Sequence, residues 1–464
     1  MNPLSILEIT KLAGAKLETG DGKVSVERIS SDSRTIKKGE LFVALRGENF
    51  DGHEFVKNVA KRGAAGAIVD LQWKRNVPNE FAIIRARDTL LAYQNLAENY
   101  RKSLPLKVLA ITGSNGKTST KDFAASVLGR KFRVTKTQGN FNNHVGLPRT
   151  ILDATSRDEM GVWEIGMNHP GEVAALAKIA APDAAIITNI GVAHIEFMGT
   201  REAIAKEKGA LAQSVGGDGT VILNADDPFS EGIAKGTRAR VVFAGINSGV
   251  LRATDIEQTA DGSEFTILEG AHRCRAQLSV PGLHMVQNAL LAVAAGRAFG
   301  ILLEDCAIGL ATAPLTKARL QIKAVNGVQF LDDSYNANPD SMKAALRTLM
   351  ELDTDGKRIA VLGEMRELGA ETQRGHQEVG EEAAALGVGQ VIGIGEMGAV
   401  IARAAERAGL RKSNVVGSTS EAAEMLIDIA EPGDLILIKG SRLARTEEVI
   451  EKFAEQRSRE GARS

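Results

Sequence analysis

The sequence predicts an α/β protein of three domains. These are a small N-terminal α/β domain over residues 1–86, a central α/β domain built on a phosphate loop (87–314), and a Rossmann-like, doubly wound C-terminal domain (315–464). Three observations predict it. The 464 residues amount to about three domains at roughly 150 residues each. Residues 106–129, LKVLAITGSNGKTSTKDFAASVLG, read as a buried strand, a glycine turn and a helix. Beyond residue 315 apolar strands alternate with helices, the pattern of a parallel sheet covered on both faces.

Composition bounds the function. The 44% apolar residues suffice for full cores, and 25% charged residues are ordinary for a globular chain. Lys plus Arg (57) nearly equals Asp plus Glu (58), so no nucleic-acid or membrane surface is expected. The two cysteines, Cys274 and Cys306, lack metal or redox spacing, which favours a reducing cytoplasm. No signal peptide is read at the N-terminus. The most apolar stretch, residues 289–303, contains Arg297 and is too short to span a bilayer, so it reads as a core helix.

In the N-terminal region, residues 41–45 and 64–70 read as strands and 54–62 as a helix. Two polar clusters flank the first strand: Ser31, Ser33 and Arg34 before it, and Arg46, Gly47, Asp51 and His53 after it. Loops at strand ends are where α/β domains bind ligands; capping and turn chemistry accounts for the same residues equally well.

A helix over 88–102 leads to the glycine turn. Gly113, Ser114, Asn115, Gly116, Lys117, Thr118 and Ser119 form a cradle whose backbone N–H groups face an anion at a helix start. Lys117 reaches terminal phosphates and the Thr118 hydroxyl takes a Mg²⁺ site. Only the second half of the P-loop pattern is met, because Ile111 stands where it asks for glycine.

Residues 137–148, TQGNFNNHVGLP, read as an unpacked loop whose Thr137, Gln138, Asn140, Asn142 and Asn143 suit an uncharged polar ligand, or simply solvent. Glu164 interrupts the apolar strand 161–167, where a buried carboxylate needs a metal or an ion-pair partner. His194 follows a strand ending at Thr188–Asn189, and is either structural or a ligand to metal or phosphate. In the helix 201–213, Lys208 falls on the apolar stripe with Ile204, Leu211 and Val215. Burial would make it a neutral amine; snorkelling is the alternative. After a turn at 224–228 the chain has β character to about residue 280, and the next helix carries His284 and Asn288 on one face. Residues 316–321 read as a linker.

The third region offers a strand at 328–333, a second strand with its loop at 358–369, a third at 390–398 and a fourth at 434–442. It contains a literal G-x-G-x-x-G at Gly393, Gly395 and Gly398. The next strand, NVVGSTS, lacks the acid a dinucleotide site requires, and no acid follows until Glu421.

The segments ITGSNGKTST, TQGNFNNHVGLP, WEIGMN, ITNIGVAHIEFMGT, LDDSYNANPDSM, VLGEMRELG and LILIKGSR together resemble the Mur ligase family across essentially the whole chain. The resemblance implies an ATP-dependent ligase with Mg²⁺, acting on small molecules in the cytoplasm as a monomer. The reaction implied adds D-alanyl-D-alanine to UDP-N-acetylmuramoyl-tripeptide through an acyl phosphate, the last cytoplasmic step of peptidoglycan precursor synthesis. Under it the Ser31–Arg34 and Arg46–His53 clusters contact the uridine diphosphate. His284 and Asn288 meet the adenine, and Arg319, Asp333 and Asn336 clamp ATP. Thr118, Glu164, His194 and a carbamylated Lys208 hold metal. One feature is altered: the linker arginine of the family follows a glycine, and here Ala318 precedes Arg319. Two other classes share these features, a folylpolyglutamate-synthase-like amide ligase and a non-catalytic nucleotide-binding regulator of the cell wall.

Overall fold

The architecture is that of a computed structural model, which describes residues 1–461 except residue 75. Its first five-stranded sheet runs Lys16–Thr19, Ala82–Ala86, Gly66–Asp70, Leu41–Val43, Ile29–Ser30, parallel except for the first strand. The parallel strands therefore end together at Ser30, Val43 and Asp70. Both polar clusters of the N-terminal region leave from that edge.

The central sheet has nine strands. Six are parallel, in the order Arg240–Ala244, Thr220–Asn224, Ala184–Ile187, Lys107–Thr112, Met160–Glu164, Val134–Lys136, and three more continue the sheet, the last two antiparallel. The strands flanking Lys107–Thr112 pair Glu164 with Ile111 and Ile187 with Thr112. Glu164, the glycine turn and Thr188 thus emerge side by side.

The C-terminal sheet orders Gln321–Val325, Val328–Asp332, Leu435–Lys439, Arg358–Leu362, Gln390–Ile394, Ser413–Val416, with only the first strand antiparallel. Its strands are apolar on both sides because both faces are covered. Leu435 and Leu437 pack with Met342, Val379 and Ile401 of three helices. Ile436 and Ile438 face Ala422, Val449 and Phe453 of two others. This is the doubly wound arrangement expected.

Several expectations are corrected. The loop read at 137–148 ends as the helix Gly146–Asp153; Asn143 Oδ1 accepts the Val145 and Gly146 amides, and Leu147 and Ile151 are buried. The core helix read at 289–303 is two helices, Leu283–Ala298 and Leu303–Ala311. The break falls at Gly300, in the left-handed region at φ 74°. The linker is shorter than read, since Gln321 already opens a strand. The G-x-G-x-x-G packs backbone on backbone: a Cβ on Gly393 would lie 2.0 Å from the Gly398 carbonyl oxygen. It seats the helix Gly395–Arg407 against the strand Gln390–Ile394.

The linker carries strain where the family resemblance places glycine. Ala318 and Leu320, on either side of Arg319, have φ of 59° and 54°. A side chain in that region costs roughly 1–2 kcal/mol, partly offset by the stiffer unfolded chain. Ala318→Gly is therefore expected to raise stability by about 0.5–1 kcal/mol, read from urea unfolding midpoints.

Candidate active site

The glycine turn joins Lys107–Thr112 to the helix Lys117–Leu128. Gly116 caps that helix at φ 77°, and a Cβ there would meet Asn288 Oδ1 at 2.3 Å. The turn is pinned from beneath: Asn189 accepts from the Ser114 and Asn115 amides, and Thr188 Oγ1 donates to the Asn115 carbonyl. The N–H groups of the helix's first turn have no intrahelical acceptor. The cradle is thus held rigid from below.

Lys117 lies across its mouth, with Nζ donating to the Gly113 carbonyl at 2.8 Å and more weakly to that of Ser114. Enclosure lowers its pKa, opposed by Glu164 and reinforced by Arg319. The Thr118 hydroxyl donates to Glu164 Oε2 at 3.0 Å, and Asn142 Nδ2 donates to Glu164 Oε1 at 2.8 Å. Glu164 is 3% exposed. A buried carboxylate of this kind is stable only when its lone pairs are occupied.

The Thr118–Glu164 spacing tests the expected Mg²⁺. Adjacent ligands of an octahedral Mg²⁺ at 2.0–2.1 Å stand roughly 2.9 Å apart, close to the 3.0 Å observed. Two hard oxygens at this separation fit the ion. His194 faces the C-terminal domain. Its Nδ1 lies 2.6 Å from Glu367 Oε2 of the C-terminal domain, a close ion-pair contact off the line of the ring N–H. His194 and Glu367 both have left-handed backbones. Among the described residues no cluster of three or more His, Cys, Asp or Glu is assembled.

Lys208 is 1% exposed and has no hydrogen-bond or ion-pair partner among the described residues. Burial, and then the nearby charge of Lys117, drive its pKa well down; Glu207 opposes weakly. The Glu207 carboxylate is occupied by the Gly171 and Val173 amides. Lys208 is thus buried rather than snorkelling, and its surroundings disfavour the charged form.

The C-terminal domain closes onto the cradle. Arg319 stacks 4.2 Å from the Tyr335 ring and donates from Nη2 to the Thr118 hydroxyl at 3.0 Å. Asn338 Nδ2 donates to Asn115 Oδ1 at 2.7 Å, and Asp340 accepts from the Val192 amide. Asp333 forms an ion pair with the buried Lys439, which also donates to the Asn336 carbonyl at 3.0 Å; the Asn336 side chain is exposed.

His284 lies near both partners. Burial pushes its pKa down to about 4, with Lys439 adding to the fall and Asp333 opposing it. A histidine buried neutral destabilises the fold as acid protonates the unfolded chain, so stability is lost as pH falls from about 6.5 towards 4. Unfolding midpoints at pH 5 and pH 7 are expected to differ less in His284→Asn than in the wild type, by an amount on the order of 2 kcal/mol.

Of the asparagine-rich loop, Asn142 reaches Glu164, whereas Thr137 does not face a ligand: it is fully buried and accepts the Glu164 amide at 2.9 Å. Asn143, exposed, caps the next helix through Oδ1, and Gln138 donates weakly to the Lys136 carbonyl. In the N-terminal domain, Arg46 bridges Asp51 and Asp70. His53 donates from Nδ1 to Asp51 and accepts the Asp70 amide at Nε2, so its ring fixes the loop and has no nitrogen left for a ligand. Arg34 is exposed beside Asp32, and Arg62 holds the Ser33 and Arg34 carbonyls. Gly47 lies under the exposed Phe50 ring, which would stand 2.3 Å from a Cβ there.

Sequence reasoning passed over Glu367, Lys439, Asn338 and the pair Lys121–Asp122. The signal for Lys439 was a charge ending an otherwise apolar strand; Lys121–Asp122 sit in the polar first half of their helix, and Glu367 and Asn338 lie outside strands and helices, so these gave none.

Comparison with known proteins follows this geometry. Residues 111–296 match the Mur ligase middle domain, 318–442 the Mur ligase glutamate ligase domain, and 25–101 the Mur ligase family catalytic domain. The chain is 38% identical over 436 residues to the UDP-N-acetylmuramoyl-tripeptide–D-alanyl-D-alanine ligase of Bacillus subtilis, covering 93% of each. Its fold superposes on MurF from Acinetobacter baumannii with a TM-score of 0.90 at 32% identity, over 98% of this chain and 99% of that one. It superposes on the MurF ligase of Thermotoga maritima in complex with ADP at 0.83 and 27% identity, over 93% and 98%.

Proposed function

This chain belongs to the Mur ligase family, and from that premise we propose that it joins D-alanyl-D-alanine to UDP-N-acetylmuramoyl-tripeptide with conversion of ATP to ADP and phosphate. The observation that carries the reading is the convergence of two domains on one cradle: Lys117, Thr118 and Glu164 from the central domain, Arg319 and Asn338 from the C-terminal one. The division 1–86, 87–314 and 315–464 assigns one main sheet to each domain. The N-terminal domain takes the uridine diphosphate at the strand-end clusters Ser31–Arg34 and Arg46–Asp51. The central one takes ATP, and the C-terminal one the dipeptide.

The tripeptide's carboxylate oxygen forms a bond to the γ-phosphorus of ATP as the bond to the β-phosphate oxygen breaks. ADP leaves and an acyl phosphate remains. The dipeptide amine then attacks the acyl carbon, phosphate departs with the electron pair, and the amine loses a proton. The first encounter is anion against anion, so the work falls to fixed positive charge and positioning. Lys117 and the helix's first-turn N–H groups hold the phosphates. Asn288 and His284, neutral at working pH, line the base; Asp333, tied down by Lys439, is placed for the ribose. Arg319 brings a second cation to the transferring phosphate when the domains close, and closure excludes water from the acyl phosphate.

Thr118 and Glu164 would hold Mg²⁺, which when bound would neutralise phosphate charge. Lys208, buried and without a partner among the described residues, is the amine that carbamylation would turn into an anion. No helix is long and apolar enough to cross a membrane among the described residues, and we read the enzyme as a cytoplasmic monomer.

The test is ADP release with muramoyl tripeptide, with and without D-alanyl-D-alanine. Release that requires both is the expected result. Release with folate and glutamate instead, or none with either pair, overturns the proposal.

A further inference from the structure

Asp122 is buried on the helix that follows the glycine turn, with 1% of its surface exposed. Nothing derived so far uses it. Its Oδ1 accepts from Lys136 Nζ at 2.6 Å and lies 3.4 Å from Lys121 Nζ. Its Oδ2 accepts two bonds from Thr316, the amide at 2.9 Å and the hydroxyl at 2.7 Å. These donors hold the carboxyl pKa below its usual range even though burial alone would raise it. Lys121, 1% exposed, also feels the charge of Glu164, so the cluster of two lysines and two carboxylates is close to neutral. A carboxylate this well satisfied is costly to bury unless its geometry serves something.

What it fixes is the hinge. Thr118 and Asp122 are four residues apart on one helix and so share a face. Thr316 and Arg319 are three residues apart at the entry to the C-terminal domain. Thr316 binds Asp122 and Arg319 binds Thr118, so the linker is fastened to the helix twice, one helical turn apart. Between and just beyond these fastenings sit the two left-handed residues, Ala318 and Leu320. Backbone strain of this kind persists only where the surroundings over-determine it.

We propose that Asp122 is a positioning residue for the ligase reaction: by anchoring Thr316 it sets the path of the linker and so delivers Arg319 to the phosphate loop. The inference rests on the proposed ATP-dependent activity, since the group Arg319 serves is the transferring nucleotide. The anchor touches no substrate. Its loss leaves Lys117, Thr118 and Glu164 in place and weakens only the closed arrangement, which nucleotide must then restore.

Two variants of the full-length chain test this, Asp122→Asn and the milder Thr316→Val, which leaves the buried charges untouched. Each is expected to raise the ATP KM by about tenfold, with a smaller change in kcat and little change in the KM of the tripeptide. Hydrogen exchange at the Thr316 amide is expected to accelerate in Asp122→Asn without nucleotide present. A purely structural role would lower the melting temperature of Asp122→Asn and leave the ATP KM of a folded Thr316→Val unmoved; that result overturns the anchor and leaves the activity standing. A wild-type chain that makes no ADP from these substrates overturns the activity, and the anchor's role falls with it.

Discussion

Lys117→Ala is expected to cut ADP release in the presence of both substrates by about 10³-fold or more, while the chain still folds. The size follows from the charges. A carboxylate brought within about 4 Å of a phosphate oxygen meets repulsion on the order of 4 kcal/mol at the effective dielectric of a protein surface. A lysine at similar range offsets a comparable amount, and about 4 kcal/mol is close to 10³ in rate. Folding is expected to survive because Nζ bonds only to carbonyls of its own loop. Lys117→Met, which keeps the stem, separates lost charge from lost packing and should be nearly as inactive. Removing the charge should also raise the pKa of Lys208, which the neighbouring cation depresses. Turnover within a few-fold of wild type in either variant would remove the cradle from the mechanism.

How much of this was legible beforehand depends on the range over which each residue acts. The phosphate turn, the burial of Lys208 and the strands of the C-terminal sheet follow from local patterning, and each is found in place. Glu164 was recognised because an acid in an apolar strand demands a partner. That its partners are Thr118 and Asn142 depends on strand order, which no local pattern encodes. The same limit explains His194, whose neighbour Glu367 is more than 170 residues away in another domain. Thr137 accepts a buried amide and Asn143 caps a helix, uses that local sequence does not distinguish from ligand binding, because a polar residue serves a cap or a buried amide as readily as a ligand. The helix at Gly146–Asp153 hid behind Gly146 and Pro148, which read as turn residues although proline is welcome in a first helical turn. Gly393 and Gly398 satisfy the spacing of a motif while packing against each other.

Glu164→Gln distinguishes the two readings of that buried acid, metal ligand or structural ion pair. The carboxylate accepts from Thr118 on one oxygen and Asn142 on the other. A glutamine side chain has one acceptor and one donor, so one of those contacts becomes donor against donor. Asn142 relieves this by turning its amide over, whereas Thr118 already receives Arg319 and has less freedom. The shape of the site is therefore kept while its charge is lost. If the carboxylate holds Mg²⁺, the concentration giving half-maximal activity should rise by about 10–100-fold, and turnover at limiting Mg²⁺ should fall at least as far. Stability should change by only about 1–3 kcal/mol, because Lys121 and Lys117 lose a partner but no cavity opens. A structural ion pair predicts the reverse pattern, a lowered melting temperature with an unaltered Mg²⁺ titration. Only the first outcome is compatible with two oxygens 3.0 Å apart acting as neighbouring ligands of one small hard cation.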